Sequence, residues 1–419
     1  MVNEERDLYN KQRRFDRAKE KLMKVNIPNS NKKLIDDFIN CCLAENLDKS
    51  RIAKQIYELI HLSEWLGKDF KKAKRNDLEK VVTKINQLDN APKTKKDYRG
   101  ILKRFYRWLY SVKLKKFEWN GDNRNFPPIV YWISNKIKER ERNTGLKGSL
   151  LKEEDILKVI NVAKNPRNKA LAFLLWESGM RSGEILNLRL KDVQQNEYGY
   201  EINIPYGKTS ARKITVIQCA KDLSNYLNYH EDKDNPQAFL FDIRYRRFKD
   251  IIENLCDKAG INGKMKNPHS WRKARATYLC SHMTTNQLMA YFGWNDPKTS
   301  RSYIFASQDI ILSAILKLNN KDYKKKGSEL KPKTCVRCGE ENSVGNRFCS
   351  KCSMPLTEDA INLIENETIK TAKKMGKFES KLKTHEISIF QRAMNPKATK
   401  QDINNLAKLI VHVRGNTKT

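Results

Sequence analysis

The sequence predicts a mainly α protein with one small antiparallel β-sheet, built from several modules in series. Three observations carry this. Apolar residues recur at three-and-four spacing through most of the chain. Alternation of polarity is clear in only one place, residues 200–217. Two Cys-x-x-Cys pairs near the C-terminus mark a separate small unit. With 419 residues the chain is too long for one small core.

The first third reads as a helical bundle. Leu34, Ile35, Phe38, Ile39, Cys42 and Leu43 form an apolar stripe after Ser30, a candidate N-cap. Ile52, Ile56, Leu59, Ile60 and Trp65 form the next, with Gly67 placed to end it. A third helix is expected from Asn76-Asp77, carrying Leu78, Val81, Val82, Ile85 and Leu88. The fourth, from Thr94, buries Ile101, Leu102, Phe105, Tyr106 and Leu109. Its other faces carry Lys95, Lys96, Arg99, Lys103, Arg104 and Arg107, which fits a solvated face and a phosphate-neutralising one equally well. The expected divisions are an N-terminal extension at 1–30, this bundle at 31–113, and a linker at 114–148. The linker holds Gly121, Pro127-Pro128 and Gly145 as breakers and a short apolar patch from Ile129 to Ile133.

Charge narrows the class of partner. Lys and Arg number 83 against 49 Asp and Glu, a net charge of +34. An excess of this size, spread along the chain, points to a polyanion, most commonly nucleic acid. No stretch approaches the ~20 apolar residues of a membrane span, and the N-terminus lacks the apolar core of a signal peptide. A cytoplasmic, nucleoid-associated protein with no membrane partner is expected. Of nine cysteines, Cys41, Cys42, Cys219, Cys256 and Cys280 are scattered among apolar positions and read as small buried hydrophobes.

The middle of the chain, from Leu150, carries the candidate chemistry. Arg167 to Glu177 reads as a helix closed by Gly179 in a left-handed conformation. A short helix from Ser182 to Leu188 follows, with Arg181 at the junction. A helix start favours anions, and an arginine there adds a planar two-donor fork for phosphate. Residues 200–206 and 212–217 alternate in polarity around a 207–211 loop, which places Lys208 at a hairpin tip. Helices are expected at Leu223–Tyr229 and Tyr245–Cys256. Further on, His269 and Arg272 lie at i and i+3 on an expected helix, so both can face one site. Gly293-Trp294 follows, then Tyr303 nine residues later, with Asp296-Pro297 as a helix-start signal between them.

Taken in order, LLWESGMRSGEILNLRLKDV (174–193), GKTSAR (207–212), HSWR (269–272) and Gly293-Trp294 before Tyr303 resemble the boxes of the tyrosine recombinases, the phage-type integrases and Xer-like enzymes. The resemblance spans about residues 31–318. It implies a helical core-binding domain at 31–113 and a catalytic domain at 149–320. It implies that Arg181 and Arg272 clamp the scissile phosphate. Lys208 would protonate the leaving 5′ oxygen, His269 would assist proton transfer, Tyr303 would be the nucleophile, and Glu184 would support its neighbours. Trp294 occupies a position that is His or Trp in the family. Where the family often has another His after the second arginine, this chain reads Lys273-Ala274-Arg275.

Elementary chemistry agrees. A tyrosine with a pKa near 10 needs a base or a positive field to attack at neutral pH. Two arginines and a lysine supply that field. An indole offers only one N–H donor, so proton transfer falls to Lys208 and His269. The resemblance implies cleavage and rejoining of duplex DNA through a 3′-phosphotyrosyl bond, with neither ATP nor a catalytic metal. It further implies double-stranded DNA as partner, a tetramer on DNA from free monomers or dimers, and accessory DNA-bending proteins. The apolar stripe Ile310, Ile311, Ala314, Ile315 and Leu318 is expected to dock on a neighbouring protomer. A type IB topoisomerase-like nicking-closing enzyme shares this chemistry, and a non-catalytic DNA-binding regulator could share the scaffold.

The C-terminal part is an addition. Cys335, Cys338, Cys349 and Cys352 have the spacing of a tetrahedral structural zinc site and resemble a zinc ribbon at 333–356. A helical tail at 357–419 starts with Thr357 as cap. Its apolar positions at three-and-four spacing, from Ile361 and Ile364 to Ile389, fit either self-association or packing on the chain's own last helix, Gln401 to Val411. These additions favour an integrase of a virus, plasmid or other mobile element, and the ribbon suggests an archaeal source.

Overall fold

The structure is a computed structural model that describes residues 6–137, 149–205, 211–297, 299, 315–316, 318–319, 330–379, 384–393 and 399–415. They fall into two compact units, Met1–Ile217 with Leu223–Lys326, and Gln218–Asp222 with Gly327–Thr419.

The first unit begins with five helices around one core: α1 (Lys11–Lys24), α2 (Asn29–Ala44), α3 (Lys49–Leu66), α4 (Arg75–Gln87) and α5 (Pro92–Trp108). Helix α3 is central and packs on the other four. Its apolar residues recur on several faces, so Ile52, Ile56 and Leu59 are fully buried together with Ile35, Ile85 and Phe105. Asp48 caps α3 by accepting from the Ser50 amide at 2.9 Å, and Gly67, at φ 66°, ends it. Ser30 is not the cap of α2; the helix starts at Asn29 after Pro28, with no side-chain cap. Helix α5 likewise starts at Pro92, a favoured first position, rather than at Thr94.

The basic face of α5 is partly engaged within the protein. Arg104 pairs with Glu45 at 2.7 Å, and Arg99 donates to Asn86 at 2.7 Å. The apolar patch expected within the linker packs on this core: α6 (Pro128–Tyr131) buries Val130, with Ile133 buried just beyond it. The N-terminal segment also reaches the second half of the unit. Arg6 pairs with Asp242 at 2.5 Å and lies over the Phe239 ring at 4.8 Å. The Tyr9 and Tyr245 rings are 5.0 Å apart.

That second half holds α7 (Glu153–Val162), α8 (Pro166–Ser178), α9 (Ser182–Asn187), a three-stranded sheet, α10 (Ala220–Asn228), α11 (Tyr245–Lys258), α12 (Pro268–Leu279) and α13 (Thr285–Phe292). Every residue of α8 from Ala170 to Ser178 is buried, so it is the central helix here. The sheet is antiparallel in the order β1 (Val193–Asn196), β2 (Gly199–Ile204), β3 (Arg212–Val216). Ile202 pairs with Ile214 and Tyr200 with Val216, which puts the apolar residues of the expected hairpin on one buried face. Strand β1 was not expected, because Val-Gln-Gln-Asn shows no alternation of polarity. Cys42, Cys219, Cys256 and Cys280 are buried and Cys41 partly so. Burial pushes the Cys256 and Cys280 thiols up to about 11, consistent with inert packing groups.

The second unit contains a short ladder, β4 (Lys333–Thr334) with β5 (Glu341–Asn342), and α14 (Glu358–Glu379), α15 (Thr384–Ala393) and α16 (Lys400–Gly415). Thr357 caps α14 through its hydroxyl, which accepts from the Ala360 amide at 3.2 Å. Some of the tail's apolar positions pack on the chain's own last helix. Ile389 packs with Phe390, Leu406 and Leu409 between α15 and α16, whereas Ile361 and Ile364 on α14 are exposed. Among the described residues, no helix is long and apolar enough to cross a membrane.

Candidate active site

The site is built where α8, α9, β3, α12 and α13 meet. Helix α8 ends on Gly179, at φ 56°, whose amide donates to the Leu175 carbonyl. The chain then turns through buried Met180 into Arg181, which is the N-cap of α9. Glu184, at N3 of that helix, accepts the Arg181 amide at 2.8 Å and the Arg181 Nη1 at 2.7 Å. The expected placement of Arg181 at a helix start is therefore observed, and Glu184 is its partner.

Helix α12 carries the second pair. Asn267 caps it by accepting from the Ser270 amide at 3.1 Å, and Pro268 takes the first position. Arg272 is 4% exposed. Its Nη1 donates to the Gly179 carbonyl and its Nη2 to the Phe292 carbonyl, each at 2.8 Å, while its guanidinium lies 5.0 Å from the Phe292 ring centroid. It is also 3.9 Å from Glu184. The ends of α8 and α13 thus hold this arginine through main-chain oxygens. His269, one turn earlier, is exposed. Partial desolvation, then the cations Lys273, Arg272, Arg181 and Lys93, lower its pKa. An imidazole so placed is mainly neutral at pH 7 and able to accept a proton.

Trp294 follows Gly293, which ends α13 at φ 63°. Its ring is 8% exposed and stacks on Phe292 at 4.7 Å with 14° between planes. Just beyond, the Thr299 amide donates to the Asp296 carbonyl at 3.0 Å and Thr299 is helical, at the place where a helix start is expected. Lys208 and Tyr303 lie outside the described residues. So do Ile310, Ile311 and Ala314 of the expected docking stripe, while Ile315 and Leu318 are exposed.

Sequence reasoning missed Arg212. It reads there only as the first residue of the hairpin's return strand, yet its Nη2 and Nη1 donate to the two Glu184 oxygens at 2.8 and 3.2 Å. Its Nε donates to the Tyr291 carbonyl at 2.9 Å. Desolvation raises the Glu184 carboxyl, but Arg212 and then Arg181 outweigh it and bring it down to about 2. The one sequence signal was an Arg on a strand position that alternation assigns to the half-buried face. One buried carboxylate among three guanidiniums makes a cationic cluster suited to a tetrahedral oxyanion.

The four ribbon cysteines form a second constellation, in the other unit. Their sulfurs all lie within 4.8 Å of one another, with Cys335 and Cys352 at 3.5 Å and Cys338 and Cys349 at 3.6 Å. A tetrahedron of thiolates at ~2.3 Å from zinc requires sulfur separations of ~3.8 Å, so the residues fit a metal ion. Two matching turns build the cluster: the Gly339 amide donates to Cys335 and the Ser353 amide to Cys349, with φ of 71° and 57° at the two turn residues.

Comparison with known proteins finds a family match over one region. The phage integrase family matches residues 149–309. Transposase A of transposon Tn554 from Staphylococcus aureus is 22% identical over 222 residues, 47% of this chain. The chain spans 58% of that relative's length. Tyrosine recombinase XerA of Saccharolobus solfataricus is 23% identical over 293 residues, 68% of this chain and 92% of its own. Among solved structures, XerH recombinase bound to a palindromic difH substrate aligns with a TM-score of 0.51 and 18% identity, over 76% of this chain and 98% of that one. That likeness carries the fold alone, a mainly helical arrangement with a small antiparallel sheet. With the motif order and the arginine–glutamate cluster on the same segment, residues 149–309 form a domain of the phage integrase family of tyrosine recombinases.

Proposed function

We propose that the chain is a site-specific DNA recombinase that cleaves and rejoins duplex DNA, integrating or excising a viral, plasmid or other mobile element. The observation that carries this is the meeting of Arg181, Glu184 and Arg272 from two separated sequence segments inside the region that matches the family, with Trp294 stacked on the Phe292 that holds Arg272. The transposon-borne relative supports the mobile-element part.

In the proposed reaction Arg181 and Arg272 hold the scissile phosphate and stabilise the charge that builds on its oxygens. The Tyr303 oxygen attacks phosphorus, the bond to the 5′ oxygen breaks, and a 3′-phosphotyrosyl ester forms. His269, mainly neutral near pH 7, accepts the tyrosine proton. Lys208 delivers a proton to the departing 5′ oxygen. Attack by a 5′ hydroxyl of another strand reverses the sequence. The ester conserves the energy of the broken bond, so the exchange runs without ATP or a catalytic metal. Glu184 orients the arginines, and Trp294 packs.

The remaining assignments belong to the same proposal. The chain divides into 1–30, a core-binding domain at 31–113, a linker, a catalytic domain at 149–320, a ribbon at 333–356 and a tail at 357–419. Cys335, Cys338, Cys349 and Cys352 would hold a structural zinc, which when bound stabilises the ribbon. Double-stranded DNA is the substrate and further copies of the chain complete a tetramer on it, in the nucleoid of the cytoplasm, with accessory DNA-bending proteins as further partners.

The test uses a library of nicked duplexes with randomised centres and the full chain. Covalent protein–DNA adducts are recovered, and their ends sequenced. A discrete recovered sequence, attached at a 3′ phosphate and lost in Tyr303→Phe, is the expected result. Adducts that persist in that variant would remove Tyr303 as the nucleophile, and none with the native chain would remove the recombinase reading and leave a DNA-binding regulator. Relaxation of a plasmid carrying the recovered sequence, without exchange between two such plasmids, would indicate a nicking-closing enzyme.

A further inference from the structure

We propose that Arg212 is a positioning residue that neutralises Glu184 and so keeps Arg181 and Arg272 from being drawn fully onto that carboxylate, in the geometry of a phosphate clamp. The inference rests on the reading of the arginine cluster as a phosphate site.

Arg212 is not itself placed to bind a ligand. All three of its guanidinium nitrogens serve acceptors within the protein, two on Glu184 and one on the Tyr291 carbonyl. Its side chain is 7% exposed, and turning it outward would break all three bonds. What it sets is charge. Glu184, equally buried, touches Arg212 and Arg181 and lies 3.9 Å from Arg272. Three guanidiniums and one carboxylate leave the cluster at a formal +2. Without Arg212, two guanidiniums share one carboxylate and the cluster falls to +1. A buried carboxylate that loses a two-pronged partner draws in the nearest cations. Those are Arg181 and Arg272, so the clamp would close on Glu184 instead of on a phosphate.

The bond to Tyr291 adds a second hold. Tyr291 sits in the last turn of α13, next to Phe292, whose carbonyl accepts from Arg272. Arg212 therefore braces Arg272 from the carboxylate side and from the α13 side. This also explains why an arginine opens β3: a lysine has one nitrogen and could not span the three acceptors.

The test is a suppression experiment with inorganic phosphate as probe, so it does not depend on any DNA sequence. Phosphorus NMR titrations of the full chain are run for the native protein, Arg212→Met, and Arg212→Met with Glu184→Gln. Arg181→Ala sets the baseline of binding elsewhere on the basic surface. Arg212→Met should weaken site-specific phosphate binding about tenfold, the effect of one unit charge at close range in a partly buried site. Adding Glu184→Gln restores the cluster to +2 and should bring affinity back to within about threefold of native. A merely structural role for Arg212 would not be relieved by removing its partner as well. Native-like binding in Arg212→Met, or a double variant that is folded and no better than the single one, overturns the proposal. Should Arg212→Met fail to fold, Arg212→Lys carries the test. It keeps the charge and loses the three-point hold, so a loss smaller than that of Arg181→Ala supports the proposal, and a loss as large as that of Arg181→Ala overturns it. A chain that binds phosphate in this pattern yet gives no covalent DNA adduct would refute the recombinase reading while leaving this inference in place.

Discussion

Gly179→Ala offers a quantitative check on how the second arginine is held. Two costs add at this position. Gly179 has φ 56°, and an L-residue in that region is strained by ~1–2 kcal/mol. A Cβ built there also meets the Phe292 ring, at 2.5 Å from Cε1 and 3.3 Å from Cζ. Phe292 is fully buried, so its ring has no open space to move into, and overpacking of this kind costs ~1–3 kcal/mol. The expected total is ~2–5 kcal/mol. Gly67→Ala is the control, because Gly67 has φ 66° with nothing within 4 Å of the added carbon. It should show the backbone term alone, ~1–2 kcal/mol. Both glycines lie in the same compact unit, so both are read from one urea transition of the full chain. Because Arg272 donates to the Gly179 carbonyl and lies over the Phe292 ring, phosphate binding should fall in Gly179→Ala and not in Gly67→Ala. Equal destabilisation by the two substitutions would refute the close approach of Phe292, and with it this account of how Arg272 is fixed.

Glu184→Gln should lose stability in a pH-dependent way. The native carboxyl is depressed from 4.5 to about 2, so its contribution is full above 4.5 and fades as pH falls toward 2. At ~1.4 kcal/mol per pH unit the difference from native is about 3 kcal/mol at pH 7, shrinking on acidification. Urea curves at pH 7, 5 and 3.5 read it, and a difference constant over that range would contradict the ion-pair assignment. Zinc should bind the ribbon at one ion per chain, measured by release to a chromogenic chelator. Cys349→Ser should lower the stoichiometry, and native chain purified with zinc that releases none would count against the site. Lys208→Ala should impair cleavage of an ordinary 5′-oxygen leaving group, and a 5′-sulfur leaving group, which needs no acid, should largely restore it. Absence of that rescue would remove Lys208 as the acid.

Much of this was legible because it is local. Gly67 and Gly179 end helices at positive φ, and a residue without Cβ after an apolar run announces that. The alternation Tyr200, Ile202, Ile204 fixed which face of the hairpin is buried. What escaped depends on partners distant in sequence. Arg212 and Glu184 are 28 residues apart, and no periodicity links a strand's first residue to a helix's first turn. Strand β1 exists because its main chain pairs with β2, from Val193↔Ile202 to Asn196↔Gly199, while its side chains carry no pattern. The 114–148 stretch reads as a linker by its breakers, yet Val130 and Ile133 are buried in the helical core, since two apolar side chains suffice to dock a short turn. Ser30 had the right chemistry for a cap and the wrong position, because Pro28 starts the helix earlier.

Phe292 is the residue that turns these local facts into a site. Its ring closes over Gly179, lies beneath the Arg272 guanidinium and stacks on Trp294, while its carbonyl accepts from Arg272. Reasoning from donors and acceptors alone gave Trp294 a single N–H and some packing. The structure shows what the packing acts on: a large flat ring parallel to Phe292 at 4.7 Å keeps the Phe292 ring from rotating. A smaller side chain there would free the ring that carries Arg272. Trp294 therefore bears on Arg272 through one intervening aromatic, just as Arg212 does through one intervening carboxylate, and under the proposed function neither needs to touch phosphate. Both supports act on the same arginine, one through Phe292 and one through Glu184, and both come from residues that a motif scan passes over or classes as a donor.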